Sequence, residues 1–288
     1  FMGGYVGVHT GLIQEARTES ELAAVLGHEV AHVTQRHIVR RMQEQQQNMP
    51  MTIAGVIGSI LLGMANPEAG MAGLYTTLGA TGQSQINYTR LYEKEADRIG
   101  LSVLLAAGFD PMGAPDFFGR LAEKYRYVSK PPEMLMTHPL PESRIADTRA
   151  RAESMRRIDV KPSLEFALAK ARVEARYAGN PSVSDFQDMA NSSNPINQRA
   201  GTYGLAIIAL DRGHYNAAEE HIKSLLNNDP NNPFYIDVQT DILLGQENYE
   251  YVMEWLESKY IRQPTEPVIT INFANAALTS GNGKLAEK

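Results

Sequence analysis

The chain of 288 residues contains no cysteine, so it can form no disulfide and offers no thiolate to a metal ion. The absence of free thiols fits an oxidising compartment, although cysteine-free chains also occur in reducing ones. The formal net charge is −6 and no long basic run is present, so nucleic acid is not expected as a partner. The length is sufficient for two ordinary domains.

The chain also lacks an uninterrupted run of about 20 apolar residues, the length that a transmembrane helix needs. Residues 51–80 are rich in Gly, Ala, Met, Ile and Leu, but Asn66-Pro67-Glu68 divides them into two arms that are too short to span a membrane. A proline at such a break predicts the turn of a helical hairpin. We interpret this hairpin as a cover over a cleft or a peripheral membrane contact, and a buried helix pair is the alternative.

The pentapeptide His28-Glu29-Val30-Ala31-His32 is an instance of H-E-x-x-H. Two histidines at i and i+4 lie on the same helix face, so both imidazoles can reach one zinc ion. Zinc lowers the pKa of a coordinated water from ~15.7 to about 7, and the intervening glutamate can act as general base. The pattern therefore predicts a zinc peptidase with His28 and His32 as ligands and Glu29 as the base.

The residues around this motif predict a helix. Thr18-x-x-Glu21 has the pattern of a capping box, and apolar residues follow at helical spacing. We expect an amphipathic helix from about residue 19 to 44, ended by the polar residues 43–49. The alternative is a helix that carries two incidental surface histidines.

A third zinc ligand is not found among the neighbouring histidines. Metzincins place one six residues after the second histidine, but this chain has Ile38 there. His37 is one residue out of register and is interpreted as a surface histidine. Because cysteine is absent, the remaining common donor is a carboxylate.

Two carboxylates in the segment YEKEADRIG are candidates for that donor. Glu93 and Asp97 are one helical turn apart on a helix expected from about residue 85 to 107, whereas Glu95 points elsewhere. Glu93 could bind zinc while Asp97 orients a ligating histidine. From spacing alone, an exposed charged turn balanced by the neighbouring Lys94 and Arg98 is an equally good interpretation.

The combination of HEVAH with a later E-x-x-x-D resembles the gluzincin family of CAAX-prenyl and heat-shock-type membrane proteases. Further similar pieces are Gly3-Gly4-Tyr5-Val6, Thr10-Gly11-Leu12, and Thr137-His138-Pro139 followed by Arg144. In that family the first Glu of E-x-x-x-D is the metal ligand. The resemblance therefore implies one zinc ion per chain, held by His28, His32 and Glu93.

His138 lies between a proline-rich loop and the start of another helix. Pro139 restricts its backbone to extended conformations, and Pro141 begins the helix that carries Arg144. His138 could stabilise an oxyanion or occupy the fourth metal position, and a structural loop histidine is the alternative. The family has the same His-Pro-then-Arg pattern, so the resemblance places His138, Arg144 and Asp97 in the catalytic site, with His138 also as a metal ligand.

From about residue 165 the chain repeats with a period of 34 residues. The recurrences are Gly213-x-Tyr215 with Glu247-x-Tyr249, Pro230 with Pro264, Ala206 with Thr240 and Ala274, and Leu210 with Leu244 and Leu278. This period, with small residues at helix contacts, matches tetratricopeptide helix-turn-helix units, which stack into a solenoid.

We therefore expect a mostly α-helical chain with two domains. Residues 1–158 would form a gluzincin metallopeptidase domain, truncated at its N-terminus, with a small edge β-sheet that includes a strand at residues 5–9. Residues 159–288 would form the tetratricopeptide-repeat solenoid, with more repeats beyond the chain end. An extended substrate could pair with the edge strand through main-chain hydrogen bonds.

The resemblance also implies a function. Family members with such repeats are periplasmic zinc endopeptidases that degrade or help assemble misfolded or stalled outer-membrane proteins. The expected partners are polypeptides such as outer-membrane barrel precursors, together with the outer-membrane assembly machinery. The alternative is a self-inhibited, chaperone-like adaptor with a largely closed zinc site. Glu29 favours the enzyme, because a structural zinc site has no use for a general base.

Overall fold

The computed structural model describes residues 4–129 and 133–281 and is mostly α-helical. The helices are α1 (Thr10–Glu15), α2 (Glu19–Thr34), α3 (His37–Ala65), α4 (Pro67–Ala106), α5 (Gly113–Lys124), α6 (Glu133–Thr137), α7 (Glu142–Glu153), α8 (Leu164–Tyr177), α9 (Val183–Ala190), α10 (Pro195–Asp211), α11 (Tyr215–Asn228), α12 (Pro233–Gly245), α13 (Tyr249–Arg262) and α14 (Pro267–Thr279).

No β-strand occurs in the described residues, so the expected edge strand at residues 5–9 is wrong for this structure. These residues are exposed and have no regular secondary structure. A strand needs a neighbour to pair its N–H and C=O groups, and no other described segment is a strand that could supply one. The alternating valines therefore predicted an extended backbone without predicting its partner.

The chain divides into two compact units. Unit 1 contains the residues up to His9 and Ala16–Lys161, and unit 2 contains Thr10–Glu15 and the residues from Pro162 onward. In unit 1, helix α2 packs against α4 and α5, and α7 packs against α5 and α4. The largest fully buried side chains of this unit are Phe117, Phe118, Leu101 and Leu104.

Two glycines set the crossing of α2 and α4. A Cβ atom on Gly27 would lie 3.2 Å from the carbonyl oxygen of Gly100, and a Cβ on Gly100 would lie 3.1 Å from the backbone of His28. Larger side chains at these positions would push the helices apart. The small residues therefore bring the face of α2 that carries His28 against the part of α4 that carries the acidic residues.

The helix expected at residues 19–44 is two helices. Thr18 caps α2 as expected, since its side chain accepts a hydrogen bond from the Glu21 N–H. Helix α2 ends at Thr34, Arg36 takes a left-handed conformation with φ of 56°, and α3 begins at His37. The polar residues 43–49 do not end the helix, because glutamine and methionine are good helix formers.

The hairpin turn at Asn66 and Pro67 is confirmed. Helix α3 ends at Ala65, the Asn66 side chain accepts hydrogen bonds from the N–H groups of Glu68 and Ala69, and Pro67 begins α4. The expectation that both arms are too short to span is wrong for the arm in α3 by length and composition, although the part of α3 before Met49 is largely polar and carries Arg40, Arg41 and Glu44. By length and composition, α3 is the one helix among the described residues that could cross a membrane.

The helices of unit 2 recur with the 34-residue period that the sequence predicted. Helices α11 and α13 begin at Tyr215 and Tyr249, and α12 and α14 begin at Pro233 and Pro267. The turn residues before them also repeat their conformation, because the residues at 213, 247 and 281 all have positive φ, of 74°, 58° and 83°. The assignment to the tetratricopeptide class stays a prediction.

Candidate metal centre

Four side chains from three segments of unit 1 converge on one point. Helix α2 supplies His28 and His32, α4 supplies Glu93, and the loop after α6 supplies His138. One ligand atom from each lies within 4.8 Å of those from the others. The structure therefore brings together the four residues that the sequence analysis placed at a metal.

The distances between these atoms suit a small tetrahedral cation. The Nε2 atoms of His28 and His32 are 3.0 Å apart, and they lie 3.4 Å and 3.2 Å from the carboxylate of Glu93. His138 Nδ1 lies 3.0 Å from Glu93 Oε1 and 3.5 Å from His28 Nε2. A tetrahedral zinc site with bonds of ~2.0–2.1 Å has ligand atoms about 3.3–3.4 Å apart. The donor set of nitrogen and oxygen atoms also fits zinc.

Glu29 lies at the edge of this cluster rather than inside it. Its Oε1 atom is 3.6 Å from His138 Nε2, and the side chain is partly exposed. Its position on α2 turns it away from the common face of His28 and His32. Glu29 is thus next to the cluster, with access to solvent.

Asp97 and Arg144 form a buried layer behind the cluster. Asp97 Oδ1 lies 3.0 Å from His28 Nδ1, the ring nitrogen opposite the one that faces Glu93. Arg144 donates two hydrogen bonds to Asp97, of 2.5 Å and 2.7 Å, and its Nη1 lies 2.7 Å from Glu93 Oε2. One guanidinium is therefore shared by both carboxylates on the inner face of α4 and offsets part of their charge.

Arg144 also anchors the loop that carries His138. Its Nη1 donates a hydrogen bond of 3.0 Å to the carbonyl oxygen of Pro139. The guanidinium stacks over Phe118, with 5.6 Å from its central carbon to the ring centre. The position of His138 is thus tied to the residues that hold Glu93 and Asp97.

His37 is not the surface histidine that its spacing suggested. It is only 3 % exposed, its Nδ1 lies 2.8 Å from His32 Nδ1, and its ring stacks on Tyr92 at 4.7 Å. Its Nε2 lies 3.2 Å from Glu95 Oε2, which accepts a hydrogen bond of 3.0 Å from Arg40. The break at Arg36 folds His37 back onto α2, which a continuous helix could not do.

The carboxylates of the centre are held in their ionised form. Burial alone would raise the pKa of Glu93, but hydrogen bonds with His138, His28 and His32 and the charge of Arg144 hold it well below its usual range. Burial also raises the pKa of Asp97, but the hydrogen bonds and positive charges of Arg144 and His28 outweigh this effect, so the pKa of Asp97 is lowered as well.

The same carboxylates act on His28. Burial lowers its pKa, but Asp97 and Glu93 outweigh this effect and raise the pKa to about 9. The centre thus attracts positive charge, which either protons or a metal cation can supply.

A cavity of about 1100 Å³ opens beside Glu93 and Arg144. Its wall includes the cationic side chains of Arg41, Arg90 and Lys94, and the residues from Pro139 to Pro141 lie on its border. Of the four cluster residues, Glu93 contributes to this lining, so the cavity borders the cluster on the side of Glu93.

Residues 1–152 match peptidase family M48. The chain belongs to this family. The expected resemblance to metalloproteases of this kind is therefore confirmed, and a metal cofactor is implied by the family.

Curated relatives resemble nearly the whole chain. It is 45% identical over 283 residues to the beta-barrel assembly-enhancing protease of Escherichia coli, an alignment that covers 98% of the chain and 58% of the relative. It is 46% identical over 281 residues to the putative beta-barrel assembly-enhancing protease of Vibrio cholerae, with coverage of 96% and 58%. The chain spans little more than half the length of these relatives.

A more distant relative matches less than half of the chain. The mitochondrial metalloendopeptidase OMA1 of Arabidopsis thaliana is 32% identical over 120 residues, which is 42% of the chain and 22% of the relative.

Proposed function

We propose that the chain is a zinc-dependent endopeptidase whose metal is held by His28, His32 and Glu93. The observation that carries the proposal is the convergence of these donors at tetrahedral spacing, with Glu29 next to them and partly open to solvent. When bound, zinc would supply an activated water and polarise the scissile carbonyl.

Three side chains of the protein would have the remaining roles in the reaction. Glu29 accepts the proton of the attacking water and later returns it to the leaving amine. Asp97, whose Oδ1 lies 3.0 Å from His28 Nδ1, would hold the ring with Nε2 available to the metal. Arg144 offsets the charge of both carboxylates and holds the loop of His138.

The direct test is metal analysis combined with a protease assay. Purified protein should contain one zinc per chain and should cleave an unfolded protein substrate. A chelator should abolish the cleavage, and added zinc should restore it. Cleavage that persists at full rate after complete removal of the metal would contradict the proposal.

The names of the relatives suggest substrates and a cellular location for the protein. The Escherichia coli and Vibrio cholerae relatives are named for beta-barrel assembly. We propose by analogy a periplasmic enzyme that degrades or helps assemble misfolded or stalled outer-membrane proteins. Polypeptides such as barrel precursors and the assembly machinery would be its partners, and peripheral membrane contact belongs to the same proposal.

Unit 2 would recruit these partners as a tetratricopeptide solenoid. The supporting observation is the 34-residue repeat of helix starts and turn conformations. Binding of a urea-unfolded barrel protein should weaken when residues 162–288 are removed. Equal binding by the chain and by residues 1–161 would contradict a recruiting role.

A second candidate is the chaperone-like adaptor with a largely closed metal site. It is favoured by one observation, that His138 Nδ1 lies where a fourth ligand would complete the set. An adaptor of this kind would bind unfolded barrel proteins and keep them soluble with equal efficiency when Glu29 is replaced by glutamine. Loss of function with that single replacement would leave the peptidase as the better account.

A further inference from the structure

The hairpin, defined here as residues 49–82, packs its two arms through small residues. A Cβ on Gly70 would lie 2.3 Å from the Cα of Gly63, and a Cβ on Gly73 would lie 2.9 Å from the hydroxyl of Ser59. Near the other end, a Cβ on Gly55 would lie 2.7 Å from the side chain of Thr77. No large apolar side chain fits between the arms at these points, so the contact gains little from the removal of apolar surface from water.

The hydroxyl groups of this seam are paired within the hairpin. Ser59 donates a hydrogen bond of 2.7 Å to the carbonyl oxygen of Gly55, and Thr77 donates one of 2.9 Å to that of Gly73. Thr52 and Thr81 share a hydrogen bond of 3.3 Å between the arms. These polar groups therefore need no water, which is the condition for burial in an apolar medium.

The large apolar side chains lie on the outside of both arms instead. Met51 and Met64 are 80 % and 81 % exposed. Further exposed apolar side chains of the hairpin are Ile53, Ile57, Ile60, Leu61, Leu62, Met71, Tyr75 and Leu78. A hairpin built for water buries such residues at the contact and exposes small and polar ones, so this arrangement is inverted.

Charge is almost absent from the same segment. Between Glu44 and Arg90 the chain has a single charged residue, Glu68, which lies at the turn. Beyond the arms, Glu44 comes first on α3 with Arg40 and Arg41 about one turn before it, and Arg90 comes first on α4, so cations outnumber the anion at the base. Apolar arms with cations at their base suit a bilayer, whose hydrocarbon is bordered by phosphate groups.

We propose that the hairpin inserts tip-first into a lipid bilayer. A protein partner would cover one side of the hairpin, whereas apolar side chains face outward from both arms. Within residues 49–82 each arm has about 17 residues and is about 25 Å long, and the hydrocarbon core is ~30 Å thick. The arms can therefore pass beyond one leaflet, and the candidate metal centre, which lies further along α4, stays outside the hydrocarbon.

The absence of cysteine allows a clean test with single labels. Met64→Cys at the tip carries an environment-sensitive fluorophore, and Ile271→Cys, an exposed position on α14, serves as the matched control. With the zinc-loaded full chain and vesicles of neutral and anionic phospholipids, we expect a blue shift at the tip label alone. Quenchers attached deep on the acyl chains should quench it more strongly than shallow ones.

A second pair of variants tests the residues that carry the insertion. Ile57→Lys with Leu61→Lys should reduce flotation with vesicles at least tenfold, because lysine is costly in hydrocarbon. Ile261→Lys with Ile271→Lys, also at exposed apolar positions, should leave flotation unchanged. Circular dichroism and zinc content confirm that each variant is folded.

Three results would overturn the proposal. The first is an unshifted tip label in the presence of vesicles. The second is quenching by shallow quenchers only, which would mean adsorption on the surface. The third is a blue shift that appears without lipid and increases with protein concentration, which would assign the apolar arms to contact between protein chains.

Discussion

His37 Nδ1 lies 2.8 Å from His32 Nδ1, on the side of the His32 ring opposite the nitrogen that faces Glu93. The contact fixes which nitrogen of His32 is free to bind a metal, and Glu95 in turn holds His37 at 3.2 Å. His37→Ala should therefore weaken zinc binding by roughly 10- to 100-fold. The measurement is the zinc dissociation constant from competition with a chromophoric chelator.

His9→Ala is the control for this prediction, because His9 is an exposed histidine of the same unit. Its zinc affinity should equal that of the unmodified chain. His37→Gln keeps a side-chain hydrogen-bond partner for His32 and should recover part of the loss. Unchanged zinc affinity in His37→Ala would show that the contact has no role in positioning His32.

Glu29→Gln should abolish peptide hydrolysis while one zinc stays bound. The amide cannot accept a proton, and a general base contributes about 10²- to 10⁴-fold to the rate. The three proposed ligands are untouched by the change. The measurement is turnover of an unfolded protein beside zinc content, and a variant with more than a few per cent of the original rate would refute the general-base role.

Arg144→Ala should destabilise unit 1 strongly. The guanidinium is the buried cation shared by Asp97 and Glu93, and its removal leaves two buried carboxylates without that charge. Loss of one partner of a buried ion pair costs about 3–5 kcal/mol. The free energy of unfolding in urea, measured without zinc, checks this.

Arg149→Ala on the same helix is the matched control. Arg149 pairs with Asp116 at 3.1 Å on the surface, where an ion pair contributes about 0–1 kcal/mol. Similar stability for the two variants would contradict the role assigned to Arg144. A large loss restored fully by zinc would instead indicate that the metal can replace the guanidinium charge.

The local patterns of the sequence predicted the centre better than its surroundings. The helical spacing of the H-E-x-x-H motif was enough to predict the roles of His28, Glu29 and His32. The spacing of Glu93 and Asp97 fitted an exposed turn equally well, and only the family resemblance favoured a metal ligand there. His37 was misinterpreted because its position depends on the left-handed Arg36, and the sequence gives a non-glycine residue no such signal.

The edge strand and the helix lengths were predicted poorly for a related reason. A strand exists only with a partner, and the pattern of residues 5–9 does not supply one. The start of α3 depends on the left-handed Arg36, and its continuation through the polar residues 43–49 reflects helix propensity rather than an apolar period. The 34-residue repeat was visible because each unit repeats its own local pattern.

The last prediction concerns His138, whose Nδ1 lies 3.0 Å from Glu93 Oε1 and 3.5 Å from His28 Nε2. An imidazole there would complete a His-His-Glu-His set and exclude both water and substrate. The ligand is neutral, so its exchange for water changes no net charge and can be reversible. We therefore expect low basal peptidase activity and a higher rate in His138→Ala, with zinc content unchanged.

Activation would require His138 to move away from the cluster, and the contacts of its loop limit how it can move. Arg144 holds the carbonyl of Pro139, so the backbone next to His138 can move away only if this hydrogen bond breaks, whereas the imidazole alone could swing out by rotation of its side chain. A resting structure with water in the fourth position and His138 distant would contradict the switch. A zinc-loaded but inactive His138→Ala variant would also contradict it and would favour oxyanion stabilisation, because the loss of one such donor costs about 10²- to 10³-fold in rate.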